Sequence, residues 1–522
     1  MKNAAPRSRP WNDRLAWLFY LIFWVSFLCI IISIFFNFQV YQRFFLLLIP
    51  ITAAACLLLA TVYRTIGRHE AFFSRHYKTV LLCFLGILFL LHLIFGEVFR
   101  FDPIYDMKAI YQNALDWVET GSFAQSYYPT LSRDYFYIYP NNLGSMAFLA
   151  AVFKAARLLG VEDTFRAAAL VNSCLILCTV ALTSLICKKL WGVRQGIMAL
   201  ALFALSPPIY FSSAVFYTDF LSIIFPVLSF YLFLLGMESI GRKKRLLWLS
   251  LSCLVLAVGS LIKITVLITL IAMALYCIRY KKFRRALFLT AAGGLLAAAV
   301  TLSFQGYLYS HHLDREKAEE MNTPYTHWFM MGLSGNGGYN NKDDSFTHSI
   351  SDPQERREAI EEKIKERLGE MGISGLAGLW WTKSGRCFGD GTYALSEFLD
   401  DNPQHWTIFH ELVLYQGKLY PIYDYLCTSL FTAILIFMTA SALLNLRRRG
   451  NFSPPDTLLP LLCVFGIMLF LLCWEAKSRY IINFIPMIFI GATGGLEGLY
   501  RMIPGGLSSL LKKNRGKTGG LN

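Results

Sequence analysis

The chain has 522 residues, of which 55% are hydrophobic and only 16% charged, with a formal net charge of +15. So apolar a composition excludes a string of ordinary soluble domains and places the chain in a membrane. The positive charge does not point to nucleic acid, because the basic residues are parcelled into short stretches between apolar runs, as in a polytopic membrane protein.

A helix needs about 20 apolar residues to cross the hydrocarbon core, and such runs recur along most of the sequence. The first, "LAWLFYLIFWVSFLCIIISIFF" from Leu15 to Phe36, follows a basic start (Lys2, Arg7, Arg9, Arg14). It is too long for a signal-peptide core and has no small-residue cleavage site, which predicts a retained helix. Spans are predicted near 15–37, 44–63, 79–98, 166–187, 195–209, 220–238, 246–262, 264–279, 286–305, 421–446, 457–474 and 481–499. The expected fold class is therefore an all-α polytopic membrane protein of about twelve helices with two large extracytoplasmic loops.

The basic clusters fix the expected orientation. Arg64 to Lys78, "KKLWGVR" at Lys188, "RKKR" at Arg242, "RYKKFRR" at Arg279, "RRR" at Arg447 and the tail with Lys512, Lys513, Arg515 and Lys517 all fall on one side. Together with the N-terminus they hold more than half of the 49 Lys and Arg, against five acids, Asp13, Glu70, Glu238, Asp456 and Glu497. This is the cytoplasmic side by the positive-inside rule, with both termini on it. The same bookkeeping assigns "LGSMAFLAAVFKAARLLG", from Leu143 to Gly160, to an amphipathic helix on the outer membrane surface: a crossing there would turn every later basic cluster outward.

Two outer loops, about 100–165 and 306–420, are too long to be connectors. Of the twelve cysteines only Cys387 lies in them, so no outer disulfide framework is expected. In the first loop "FRFDPIYDMKAIYQNALDW" places Asp102 and Asp106 four residues apart, on one face if the segment is helical. Asp102, followed by Pro103, is suited to cap that helix.

The stretches "D-MKAIYQNA-LDWVETG", "YYPTLSRDYFYIYPNNLG", "CKKLWG", "SPPIYFSSAVFYTD", "GSLIKITV" and "WEAKSRYIINFIP", taken together, resemble the membrane-embedded GT-C glycosyltransferases. The likeness is to the branch of the protein O-mannosyltransferases and lipid A aminoarabinose transferases, with "YPNNLG" as a Gram-positive-like variant. It covers roughly Lys78 to Gly306, with a weaker echo from Glu475 to Pro486. Asp106, Ala114 and Gly121 match the family's first outer loop, whereas Met107 stands where the family usually has Glu.

The resemblance implies a division into an N-terminal helix pair (1–78), a seven-helix module (79–305) that includes the first outer loop (99–165), a second extracytoplasmic loop (306–420), a C-terminal three-helix segment (421–500) and a basic cytoplasmic tail (501–522). It implies sugar transfer from a polyprenyl-phosphate lipid to an acceptor hydroxyl of a glycan, protein or lipid, at the outer face of the cell membrane.

The chemistry suits these positions. Inverting transfer needs a carboxylate to take the acceptor proton, the role of Asp106. It also needs cations at headgroup depth for the departing phosphate, the role of Lys263 and Arg479. Lys263 is equally suited to snorkel to the interface, and Glu475 to pair with Lys477 or Arg479. Asp219 is equally suited to cap a helix.

Further substrate contacts are expected from Asp102, Tyr139, Asn141, Asn142, Tyr217, Asp219, His327, Trp328, Glu475 and Tyr480. The second loop mixes aromatics with Gly, Asn and Asp, as sugar recognition does. Its histidines lack a ligand spacing, so no metal or cofactor is expected, and "GLSGNGG" precedes no helix that would make a phosphate loop. A secondary transporter and a lipid-linked glycan polymerase or ligase are the alternative readings.

Overall fold

The computed structural model of the protein describes residues 10–37, 43–123, 134–399, 403, 405–447 and 456–502, with the backbone alone for 10–13. The basic residues before Pro10 and the predicted tail beyond Met502 lie outside these residues. Among the described residues every regular element is helical. That follows from solvent: without water to satisfy it, a spanning backbone must bond within itself.

Among the described residues nine helices are long and apolar enough to cross a membrane: Arg14–Phe36, Phe45–Arg68, Glu70–Val98, Thr164–Trp191, Thr218–Glu238, Arg242–Ile262, Phe283–His311, Tyr420–Leu446 and Ser478–Met502. Each coincides with a predicted span. The other three predicted spans form helices that are short, namely Val193–Ala204 for 195–209, Ile264–Arg279 for 264–279 and Leu458–Cys473 for 457–474. At 1.5 Å per residue they reach about 18–24 Å, against a core of about 30 Å. The reasons are local. Ser206 leaves helical geometry just before Pro207 and Pro208, Lys263 is extended and followed by a 3-10 turn, and Trp474 is extended.

The 143–160 segment is the helix Leu143–Leu158 and is not among the nine. Leu143, Met146, Leu149 and Phe153 are buried on one side, while Lys154 and Arg157 are exposed. It packs beside Tyr105–Thr120 and Thr164–Trp191.

The two ends of the helices are chemically different. At one end a polar lock joins three helices. The Arg194 guanidinium lies 3.8 Å and 3.9 Å from the ring centroids of Tyr63 and Tyr500 and donates to the Tyr63 carbonyl at 3.0 Å. Gln195 donates to Glu497 at 2.8 Å, and the Tyr63 hydroxyl bonds the same carboxylate. Lys189 pairs with Glu238 at 2.5 Å nearby. The basic stretch at Lys188 thus lies against the one from Arg64 to Lys78, with the Lys188 ammonium 3.8 Å from the Tyr77 ring centroid.

At the other end the two long loops meet each other. Lys317 pairs with Asp134 at 2.5 Å, and the Thr323 amide donates to the Ile138 carbonyl at 3.1 Å. The second loop is helical, with Tyr325–Gly332, Asn341–His348 and the 36-residue Pro353–Phe388, which breaks at Gly372 (φ 55°).

One contact sets the spacing at this end. Gly144 lies so close to the backbone of Leu261 that an added Cβ would sit 1.9 Å from the Leu261 carbonyl oxygen. Gly144→Ala should therefore force two backbones apart and destabilise the fold by about 1–3 kcal/mol. Gly86→Ala, where a Cβ meets open space, should be neutral or slightly stabilising, since Ala outranks Gly in a helix. Apparent melting temperatures of the two variants in one detergent test this: a clear fall for Gly144→Ala alone is expected.

Candidate functional site

After the third span, Phe99 and Phe101 are buried against Phe211 and Phe165, and the chain turns at Pro103 into the helix Tyr105–Thr120. Tyr105 itself has φ +48°, a left-handed conformation costing a non-glycine residue of order 1 kcal/mol or more. It sets Asp106 into the first helical turn, where the positive end of the helix dipole favours a carboxylate.

Asp102 and Asp106 do not share a helical face. The helix begins beyond Pro103, its N-cap is Ile104 with no side-chain cap bond, and Asp102 is exposed in the preceding non-helical segment. The expected cap at Asp102 is corrected on that ground: capping requires the position next to the first helical residue, and Asp102 lies too early.

Asp106 is held by two tyrosines. The Tyr135 hydroxyl donates to Oδ1 at 2.8 Å and the Tyr217 hydroxyl to Oδ2 at 3.0 Å. Asn142 Nδ2 in turn donates to the Tyr135 oxygen at 2.6 Å. Burial, then the neighbouring Asp106, pushes both tyrosine hydroxyls well above the usual phenol range, so they stay protonated donors. Each carboxylate oxygen accepts one bond and keeps a lone pair for another partner.

Tyr217 links this carboxylate to a charged cluster. The Arg479 guanidinium lies 5.0 Å from the Tyr217 ring centroid, 4.8 Å from Phe398 and 5.2 Å from Tyr480, a cage suited to cation–π attraction. Its Nε is 3.7 Å from Asp219 Oδ2. Lys263 pairs with the other Asp219 oxygen and lies 4.7 Å from the Tyr480 ring centroid. Tyr480 donates to Glu475 Oε2 at 2.9 Å.

Asp219, in the first turn of its helix, makes no cap bond; its side chain is 2% exposed and committed to the two cations. Glu475 does not pair with Lys477, which turns to Glu397 at 2.6 Å. Lys263 does not snorkel outward: its side chain is 13% exposed and folds back on Asp219.

The remaining predicted residues divide. Tyr139 is half-buried, donates to Asp344 at 3.2 Å and stands 5.3 Å and 6.3 Å, ring to ring, from Tyr135 and Trp328. Tyr139 and Trp328 therefore border the Asp106 network. Asn141 is exposed and reaches only its neighbour Asn142. His327 is fully buried inside the second loop, with Nδ1 2.7 Å from the Thr347 hydroxyl, so it supports Trp328 rather than facing the network. Among the described residues no three His, Cys, Asp or Glu side chains are placed to share a metal ion.

Sequence reasoning missed the clamp that shapes the 474–480 segment. Lys383 Nζ donates to the carbonyls of Gly332, Leu472 and Trp474 at 3.0, 2.9 and 2.6 Å. Arg386 donates to the Ala476 carbonyl at 2.8 Å, and the Ala476 amide to that of Gly337 at 2.7 Å. Ser478 donates to the buried Asp390 at 2.7 Å. The "GLSGNGG" stretch serves this clamp: Gly337 has φ +77°, and side chains at Gly337 and Gly338 would run into Lys383 and Arg386. Burial pushes the Lys383 ammonium down to about 8, so three carbonyl acceptors offset only part of its desolvation.

Compared with models of protein families, residues 8–497 match the one described as "Conserved hypothetical integral membrane protein". The chain belongs to that family and is an integral membrane protein. No curated protein matches the sequence.

The buried His327 makes the second loop acid-sensitive. Burial lowers its pKa from 6.5 to about 4, so an unfolded loop takes up a proton that the folded loop refuses. Stability is lost as pH falls from 6.5 towards 4, by up to roughly 3 kcal/mol at about 1.4 kcal/mol per pH unit. Amide exchange over 325–348, corrected for its intrinsic pH dependence, should accelerate in that window. In His327→Gln the acceleration should be largely absent; equal acid sensitivity in the variant would assign it to another group.

Proposed function

We propose that the protein is a GT-C-like membrane glycosyltransferase that moves a sugar from a polyprenyl-phosphate donor to an acceptor hydroxyl at the extracytoplasmic face. One observation carries the reading. A carboxylate with free lone pairs, Asp106, is joined through a single tyrosine, Tyr217, to the half-buried Arg479, which shares Asp219 with Lys263. The reaction needs that combination: a proton acceptor for the incoming hydroxyl and positive charge for the phosphate that leaves.

In the proposed step the acceptor oxygen attacks the anomeric carbon and gives its proton to Asp106. The bond between that carbon and the phosphate oxygen breaks, and the electron pair leaves with the polyprenyl phosphate. Lys263 has three donors and Arg479 five, so both can bind phosphate oxygens while Asp219 keeps part of their charge. Inversion follows from a single displacement.

Placement of the charges also supports this reading over a transporter. Lys263 follows the last residue of the 21-residue helix Arg242–Ile262, and Arg479 falls in the first turn of Ser478–Met502. Transporter sites lie near the midplane. The proposal includes twelve crossings, with the three short helices completing the count, both termini in the cytoplasm, and the two loops outside.

Asp106→Asn keeps the side chain's size and hydrogen bonding but removes the base. Transfer from a radiolabelled polyprenyl-phosphate sugar in membranes should fall by about a hundredfold to ten-thousandfold. Asp102→Asn, at an exposed residue outside the network, should stay near the parental rate. An active Asp106→Asn would remove the catalytic assignment.

Orientation is tested by cysteines placed one at a time, in a cysteine-free background, at Leu158, which is 81% exposed, and Ile240, 97% exposed. An impermeant thiol reagent applied to intact cells should label Leu158→Cys directly and Ile240→Cys only after permeabilisation. The reverse result would invert the proposed topology.

A further inference from the structure

The end of the helices remote from Asp106 holds a second charged assembly. The helix Arg242–Ile262 starts there and reaches Lys263 about 30 Å away, at 1.5 Å per residue. Three cations from two successive helical hairpins converge: Arg245 and Arg285 both bond the 237–240 stretch, at the Ser239 carbonyl and the Met237 thioether, and the Arg285 amide donates to the Lys282 carbonyl at 2.8 Å. Burial, then the charges of Arg285 and Arg245, hold the Lys282 ammonium below the usual lysine range, and Arg285 in turn faces Arg245. The turn that carries Lys282 is strained, with Lys281 at φ +56°.

Among the described residues no acid pairs with any of the three. The neighbouring carboxylates are engaged elsewhere, Glu238 by Lys189 and Asp456 by the hydroxyls of Tyr276 and Tyr280. Arg245 spends its donors on the Ser239 and Ile240 carbonyls, at 2.8 and 3.1 Å. Arg285 donates to the thioether of Met237, at 3.1 Å. Half-buried like charges repel one another, and keeping them together costs stability unless an anion fills the gap between them. The first turns of two long helices, Arg242–Ile262 and Phe283–His311, open at the same place and add their positive dipole ends.

The surface continuing from this cluster is apolar. Phe283–His311 is the least buried of the nine spanning helices, at 11% of its apolar window. Phe283, Leu287, Leu295 and Leu302 are all well exposed along it. A group of like-charged side chains beside an exposed apolar strip matches a phospholipid, with a charged head and long chains.

We propose that Arg245, Lys282 and Arg285 form a specific binding site for the phosphate of an anionic membrane phospholipid, whose acyl chains lie along the exposed face of Phe283–His311. The site is independent of the sugar-transfer reading and would hold whether or not Asp106 is catalytic.

The test uses the full chain purified in a neutral detergent and titrated with palmitoyl-oleoyl phosphatidylglycerol, with retained lipid counted by native mass spectrometry. Phosphatidylcholine of the same chains is the comparison. A triple variant with Gln at Arg245, Lys282 and Arg285 should lose at least tenfold in phosphatidylglycerol affinity. A control triple with Gln at the exposed Arg242, Lys243 and Lys244 removes the same charge from the same end and should change affinity less than twofold.

Should the first triple not fold, Lys282→Gln alone is expected to lose threefold or more. Equal losses in both triples would reduce the effect to diffuse attraction and overturn the site, as would equal retention of phosphatidylcholine. Full displacement of the lipid by millimolar glycerol phosphate would also overturn it, since the acyl chains would then contribute nothing.

Discussion

Burying Asp219 dictates much of the architecture around it. A carboxylate almost wholly removed from water is costly unless cations meet it, and here they come from two different places in the chain, Lys263 and Arg479. Each demands a break in regular structure. Lys263 is extended between two helices, and Lys477 is extended just before the turn that carries Arg479. The breaks that shorten Ile264–Arg279 and Leu458–Cys473 are therefore the local cost of bringing charge to one point. The second loop then fixes the latter break from outside, with Lys383, Arg386 and Asp390 bonding the backbone and Ser478 of 472–478.

Asp106 depends on the same assembly without touching its cations. Tyr217 uses its hydroxyl for Asp106 and its ring for Arg479, so one side chain serves both the carboxylate and the guanidinium. Tyr135 and Asn142 hold the carboxylate from the other side. Tyr135, Asn142 and Tyr217 are buried while Asp106 and Arg479 are half-buried, so the bonds the tyrosines make are strengthened and the loss of any one is expensive.

The helices were legible from the sequence because hydrocarbon imposes a length and a composition at once, and all nine long spans fall on predicted stretches. The three short ones also fall on predicted stretches, 195–209, 264–279 and 457–474; what an apolar count does not register is the break before Pro207 that ends the first at Ala204. Asp106, Asn142, Tyr217, Asp219, Lys263, Glu475, Arg479 and Tyr480 lie in one network of contacts, although they span most of the chain. Asp102 and Asn141 do not join them, and His327 is a buried support.

What stayed hidden was the pairing. No spacing rule connects residue 219 to 263 and 479, and none reveals that Gly337 and Gly338 make room for Lys383 and Arg386. The long helix Pro353–Phe388 had a signal, since Asp352 and Pro353 form a start of the N-cap and N1 kind.

The approach of Gly144 to Leu261 has a mechanical meaning. Gly144 begins two residues after Asn142, which props Tyr135 under Asp106, and Leu261 ends two residues before Lys263. Main chain rests on main chain there, with no rotamer between them to absorb displacement. The interval between carboxylate and ammonium is thus set like the gap of a caliper whose jaws are locked, and a bound molecule must fit a ruler that the fold has already cut.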